Sequence, residues 1–185
     1  MDSPFAAISA GLALAPEDRK LQGIILDMSV RENLSLAALR RDKKSIGFLD
    51  FAKEVAISRE MIESMRVKTP GDSQILRYLS GGNQQKVVLG KWLALKPAIL
   101  LLDEPTRGID VGAKREIYAL MEELAQSGVA ILFVSSEMEE VLGMADRAIV
   151  MHEGRITGEL AREQLSEEAV MQLATGKVAA DEQAA

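Results

Sequence analysis

Ile99-Leu100-Leu101-Leu102-Asp103-Glu104-Pro105-Thr106 is the stretch on which the fold turns. With Ala98 it begins as an apolar run that has no polar alternate position, as a parallel strand buried on both faces requires. The run ends in two acids. Groups at the carboxyl ends of parallel strands stand where α/β proteins bind their ligands. Asp103 there can orient a magnesium ion through water, and Glu104 can take a proton from an attacking water. Two solvated acids at a strand end are the plainer alternative.

Elements alternate on the C-terminal side. Asp110 is placed to cap a helix that carries Ile117, Leu120, Met121 and Leu124 and stops at Gly128. Residues 129–134 read as the next buried strand, and Ser136 with Glu139 as a capping box before a short helix. Residues 147–151 and 156–160 flank His152-Glu153-Gly154-Arg155 as a hairpin, and Ser166 caps a last helix ending near Gly176. Strand, helix, strand, helix, strand predicts an α/β layer with a parallel sheet.

Toward the N-terminus, Ser3, Pro4 and Gly11 delimit a short helix, and Leu12-Ala13-Leu14-Ala15 is a buried strand stopped by Pro16. Ser29-Val30-Arg31-Glu32 is a capping box that opens a helix to about Leu39. Residues 40–44 read as a solvated basic connection. A helix from Asp50 puts Phe51, Val55, Ile62 and Met65 near one face, and Thr69-Pro70-Gly71-Asp72 is a loop. The region from about 28 to 78 is helical and separate in character from the residues C-terminal to it.

Composition narrows the function. The 185 residues suit one domain or a large piece of one, and 48% hydrophobic with 27% charged residues excludes general disorder. A net charge of -6 argues against a dedicated nucleic-acid binder. The absence of cysteine excludes disulfides, thiolate nucleophiles and Cys-ligated zinc, and the single histidine, His152, excludes any site needing two. His152 reads as a solvated turn residue. No stretch has the roughly 18 apolar residues of a membrane span. The small apolar run 4–15 lacks a preceding positive charge, which makes it a poor signal peptide. The expectation is a cytosolic protein that reaches a membrane only through a partner.

Leu79-Ser80-Gly81-Gly82-Asn83-Gln84-Gln85-Lys86 leads into a helix with Val87, Val88, Trp92 and Leu93. Two glycines permit close backbone approach, the helix start presents free amides, and Ser80 adds a hydroxyl, so an anion could sit there. Taken alone, Ser-Gly-Gly fits an ordinary turn better.

Together these residues resemble the ATP-binding-cassette (ABC) ATPases. Residues 79–84 look like the ABC signature, 99–106 like the Walker B strand with its following glutamate, and Gly108-Ile109-Asp110 like the D-loop. Pro16-Glu17-Asp18-Arg19-Lys20, residues 29–34, the Asn-Gln-Gln-Lys after the signature and residues 105–110 resemble one subgroup. It comprises the bacterial monosaccharide importers (for sugars such as ribose, galactose and xylose), whose ATPase subunit carries two cassettes in tandem. The chain is similar to the later part of the second cassette over residues 6–176.

The resemblance implies a P-loop NTPase-like α/β fold with a parallel sheet, flanking helices and a helical subdomain. It divides the chain into a core remnant with the Q-loop region (1–27), a helical subdomain (28–78), the signature helix, Walker B, D-loop and remaining sheet (79–176), and a tail (177–185). No Gly-x-x-x-x-Gly-Lys-[Ser/Thr] loop occurs, so the P-loop and its strand are missing and would lie upstream of Met1. The family's switch histidine falls at Ser136, as in second cassettes of sugar importers. Its Q-loop glutamine falls in Pro16-Glu17-Asp18, which leaves Glu17 without a firm role.

By the same resemblance, Ser80, Gly81, Gly82, Asn83 and Gln84 would clamp ATP held on a first cassette. Glu104 as catalytic base and Asp103 on Mg2+ would serve the second site, with Gly108, Ile109 and Asp110 as D-loop. Implied partners are that first cassette, transmembrane permease subunits and, indirectly, a periplasmic sugar-binding protein, at the cytoplasmic face of the inner membrane. Alone, the chain is expected to be marginally stable and to hydrolyse little ATP. The competing expectations are a non-catalytic remnant and, remotely, an ABC-type DNA-repair ATPase. The latter would need long heptad insertions.

Overall fold

A computed structural model of the chain describes residues 2–44 and 48–176. The tail expected at 177–185 lies outside the described residues. Two compact units divide between Val134 and Ser135.

The first unit opens with helix α1 (Pro4–Ser9), capped by the Ser3 hydroxyl, and strand β1 (Leu12–Ala15). A π-helical turn, Arg19–Gly23, comes next, with Asp18 accepting the Lys20 and Leu21 amides. The predicted capping box is present at helix α2 (Val30–Ser35). Ser29 N–H donates to Glu32 Oε2 at 2.7 Å and Glu32 N–H to Ser29 Oγ at 3.2 Å. These bonds hold the Glu32 carboxyl below the usual range.

Helix α3 (Leu39–Asp42) occupies much of the stretch expected to be a solvated connection. Arg41 there donates to Ala94 O at 2.9 Å and to Asp42, so the segment is docked. Helix α4 (Phe51–Ser64) turns Ser58, Met61 and the capping Met65 inward and leaves Phe51 69% exposed, against expectation. The inward stripe recurs every three or four residues, and Phe51, two turns before Ser58, shares its face but sits in the first turn of the helix and stays exposed. Arg66 closes α4 at φ 52, a left-handed cap usually given to glycine. Val67 N–H to Ile62 O and Arg66 N–H to Glu63 O complete the double-bonded cap.

Helix α5 (Gly81–Leu93) is buried along nearly its whole length. A Cβ on Gly90 would stand 2.8 Å from Leu34 Cδ2, so only glycine lets α5 approach α2 this closely. Strand β2 (Ile99–Asp103), helix α6 (Val111–Gln126) and strand β3 (Ala130–Val134) complete the unit. The sheet order is β1-β2-β3, all parallel, with Leu14 opposite Leu101 and Leu101 opposite Leu132.

One sheet face carries Ala13, Ala15, Leu100 and Leu102, all buried. The other carries Leu14, Ile99, Leu132 and Val134, which are 37–60% exposed. The expectation of strands buried on both faces therefore fails, most clearly for β3. Parallel strands are buried twice over only when helices cover both faces. Here α5 packs on β1 and α6, and α6 on β3, which covers one.

The second unit begins with helix α7 (Met138–Met144) and the antiparallel pair β4 (Arg147–His152) and β5 (Arg155–Ala161). Glu153 and Gly154 both have positive φ, the geometry of a tight hairpin turn. Helix α8 (Glu167–Ala174), capped by Ser166, packs Leu173 over Gly158, where a Cβ would stand 2.6 Å from Leu173 Cδ1. Arg162 donates to the Leu142 and Ala145 carbonyls at the end of α7.

The capping box expected from Ser136 and Glu139 does not form: Glu137 is the N-cap of α7 and makes no side-chain cap bond. Ser135 Oγ accepts the Glu137 N–H at 3.0 Å and donates to the buried Glu140 at 2.6 Å.

Candidate functional site

Three segments distant in sequence meet in the first unit: residues 17–19, 80–82 and 107–110. Ser80 is the N-cap of α5, in extended conformation at ψ 158, with its side chain exposed. Its Oγ accepts from the Asn83 N–H at 3.5 Å and from Asn83 Nδ2 at 2.9 Å. Asn83 Oδ1 in turn accepts the Lys68 N–H at 2.8 Å. Gly81 and Gly82, the first two helical residues, have amides with no intrahelical acceptor.

Gly82 is required by what lies beside it, and Gly81 is closely approached by its neighbours. A Cβ on Gly81 would sit 3.0 Å from the Arg19 guanidinium and 3.5 Å from Gly108 O; one on Gly82 would sit 2.4 Å from Ala113 Cβ. Gly108 turns the chain at φ 68, and Asp110 caps α6 by accepting the Ala113 N–H at 2.9 Å. The signature-like and D-loop-like segments are thus in contact, with Ile109 against Gly81.

Arg19 carries no separate expectation from the sequence, although it lies in the Pro16–Lys20 motif. It donates to Arg107 O at 2.9 Å and to Gly108 O at 3.3 Å, while Glu17 forms an ion pair with Arg107. The wording of that motif is the only sequence signal for either residue. Nothing in it names carbonyl oxygens 88 and 89 residues away as the acceptors.

Gln84 turns inward. It is 5% exposed, and its amide donates to Leu79 O at 3.1 Å and Leu76 O at 3.4 Å. Below it, Lys86 is also buried, with its ammonium on Arg66 O at 3.0 Å and Glu116 Oε2 at 2.6 Å. Glu116 receives Lys68 Nζ on its other oxygen at 2.9 Å. Lys86 first and Lys68 second pull the Glu116 carboxyl down to about 2.

A carboxyl depressed in the fold contributes stability above its unfolded pKa, about 4.3, and loses it as pH falls toward the folded value. Glu116→Gln is therefore expected to flatten the acid limb of stability between about pH 4.5 and 2. Urea unfolding across that range checks this, and an unchanged acid limb would contradict it.

Asp103 ends β2 half-buried, and Glu104 follows at φ 48 with its N–H on Val134 O at 2.9 Å. A left-handed non-glycine residue costs on the order of 1–3 kcal/mol, and such outliers concentrate at working sites. Among the described residues, no three His, Asp or Glu side chains gather to hold a metal alone. The Asp103 carboxylate still fits magnesium, which keeps waters and shares its shell with phosphate oxygens. Ser136 belongs to the second unit, between Ser135 and the first turn of α7.

A family model described as ABC transporter matches residues 7–107. The chain belongs to the ABC transporter family. Among curated relatives of this ABC chain, a ribose import ATP-binding protein (RbsA 1) of Streptomyces coelicolor is 51% identical over 96% of the chain and 35% of that relative. A putative ribose/galactose/methyl galactoside import ATP-binding protein of Rhizobium etli is 51% identical over 95% of the chain and 33% of its own length. The ribose import ATP-binding protein RbsA of Bacillus subtilis is 49% identical over 94% and 35%. The chain thus spans about a third of the length of the curated relatives it matches.

Solved structures agree on the fold. The ADP form of MJ1267, an ATP-binding cassette of an ABC transporter, superposes with TM-score 0.74 at 22% identity, over 94% of this chain and 72% of that one. The dimeric post-hydrolysis state of the cassette MJ0796, bound to ADP and Pi, gives 0.72 at 20% identity, over 88% and 68%. The ABC chain accordingly has the P-loop NTPase-like cassette fold.

Proposed function

We propose that this chain supplies the signature face of a composite ATP site in a bacterial sugar importer, where ATP hydrolysis drives uptake. The supporting observation is Ser80 at the exposed start of α5, followed by Gly81 and by Gly82, where Ala113 leaves no room for a side chain. Its hydroxyl and the Gly81 and Gly82 amides would meet the γ-phosphate of ATP held by the phosphate loop of a partner cassette. The positive end of α5 adds to that attraction. Arg19 and the Glu17–Arg107 pair keep the 107–110 loop against the signature.

Asp103 and Glu104 serve the second site of the pair. Asp103 would hold Mg2+ through water, and that ion supplies charge neutralisation to the phosphates. Glu104 would accept the proton of the attacking water. Residues 28–78 carry closure to two permease subunits, with a periplasmic sugar-binding protein upstream and the ATPase peripheral on the cytoplasmic face of the membrane. The sugar-import relatives support the substrate class.

The chain contains no cysteine, so Ser80→Cys introduces a unique thiol. With a second cysteine in the partner's phosphate loop, bismaleimide cross-linking is expected to rise several-fold on adding ATP. Equal yield with and without ATP would overturn the reading.

A further inference from the structure

Within the proposed function, we infer that Asn83 is the positioning residue that aims the Ser80 hydroxyl proton at the nucleotide and does not itself contact ATP.

Asn83 presents a carbonyl oxygen and an NH2 group with two hydrogens, and the oxygen and one of those hydrogens are engaged inside the chain. The Lys68 N–H can only donate, so Oδ1 must face it; that orientation turns Nδ2 toward Ser80 Oγ. A serine hydroxyl has two lone pairs and one proton. Asn83 Nδ2 and Asn83 N–H approach the lone pairs, so the proton remains to donate outward. A phosphate oxygen is an acceptor only, and a hydroxyl aimed in this way meets it without reorganisation.

The Lys68 amide is itself held in place. Glu116 grips the Lys68 ammonium on one oxygen and the buried Lys86 ammonium on the other, and Lys86 also binds Arg66 O. Residues 66–68 are therefore pinned by backbone and side chain alike, and the pin passes through Asn83 to Ser80. Asn83→Ala removes the orienting amide and leaves the serine free to rotate.

The test is a double-mutant cycle on sugar-stimulated ATP hydrolysis by the complete reconstituted transporter, read as kcat and KM separately. Ser80→Ala should lower kcat by about a hundredfold. Asn83→Ala should lower kcat by about tenfold with KM little changed, the signature of an interaction made in the transition state. In the Ser80→Ala background, Asn83→Ala should cost less than about twofold, because there is no hydroxyl left to aim. A full additional tenfold loss in that background would overturn the inference while leaving the signature reading intact. An unchanged kcat for Ser80→Ala would overturn both. The same cycle with Asn83→Leu carries the same expectations, so a folding defect in one variant, detected by its melting temperature, leaves the other to decide.

Discussion

Ser80→Arg is expected to cut sugar-stimulated ATP hydrolysis by the assembled transporter by about a hundredfold or more. Its effect on the fold should be far smaller. Ser80 is exposed, and its fold role is to accept from Asn83. Losing an N-cap costs about 1 kcal/mol, and a positive charge at the positive end of α5 adds a few tenths. On the proposed reading function suffers more, because the substituent would occupy the ground where the nucleotide of a partner cassette would come. Gly81 is flush against Arg19 and Gly108, so the long side chain has no room on that side and must project outward. A closing partner then meets the guanidinium before it meets the amides. The measurement is hydrolysis against sugar-loaded binding protein in proteoliposomes, with circular dichroism melting as control. Normal hydrolysis in a folded Ser80→Arg transporter would remove this signature from the working site.

Asn33→Leu is expected to destabilise the protein by about 2 kcal/mol, the largest stability loss of any change considered. Asn33 is 0% exposed, and its amide makes three bonds. It accepts the Ile25 N–H at 2.8 Å and donates to Ile25 O at 3.0 Å and Ser29 O at 2.9 Å. Leucine is close in shape but leaves the Ile25 N–H without its acceptor, at a cost of about 1–3 kcal/mol, while Ile25 O and Ser29 O each lose one donor and keep the Met28 and Asn33 backbone amides. The loss is a sizeable share of a domain's usual stability of about 5–15 kcal/mol, so a melting point lower by about 6 °C is the expected reading. Residues 25–29 would be released from α2, and with them the 75–77 strip, whose amides bond to Leu26 and Met28. A loss under about 1 kcal/mol in urea unfolding would show that the loop finds other partners.

The features legible in the sequence share a physical trait: they are closed within three or four residues. Ser3, Ser29, Ser80, Asp110 and Ser166 all cap helices, each through a bond to an amide three residues on. Pro16 and Gly128 stop their elements for reasons of backbone sterics. The exception within this class is Ser136: α7 starts from Glu137, which makes no side-chain cap bond, while Ser135 bonds the Glu137 amide and the buried Glu140.

The linear chain alone was enough for the cassette fold, the positions of nearly all helix starts, and the three motifs that bear the family. Those depend on hydrophobic period, caps and turn residues, which act over a few bonds. Packing in three dimensions settled that Arg19 grips the 107–108 carbonyls, that Gln84 and Lys86 face inward, and that Asn83 spends both ends of its amide on Lys68 and Ser80. It also left β3 open on one face, since burial depends on which helices reach a strand and not on how apolar the strand is. Contacts between residues 30 to 89 apart exist only once helices α5 and α6 have packed, and no local propensity encodes them.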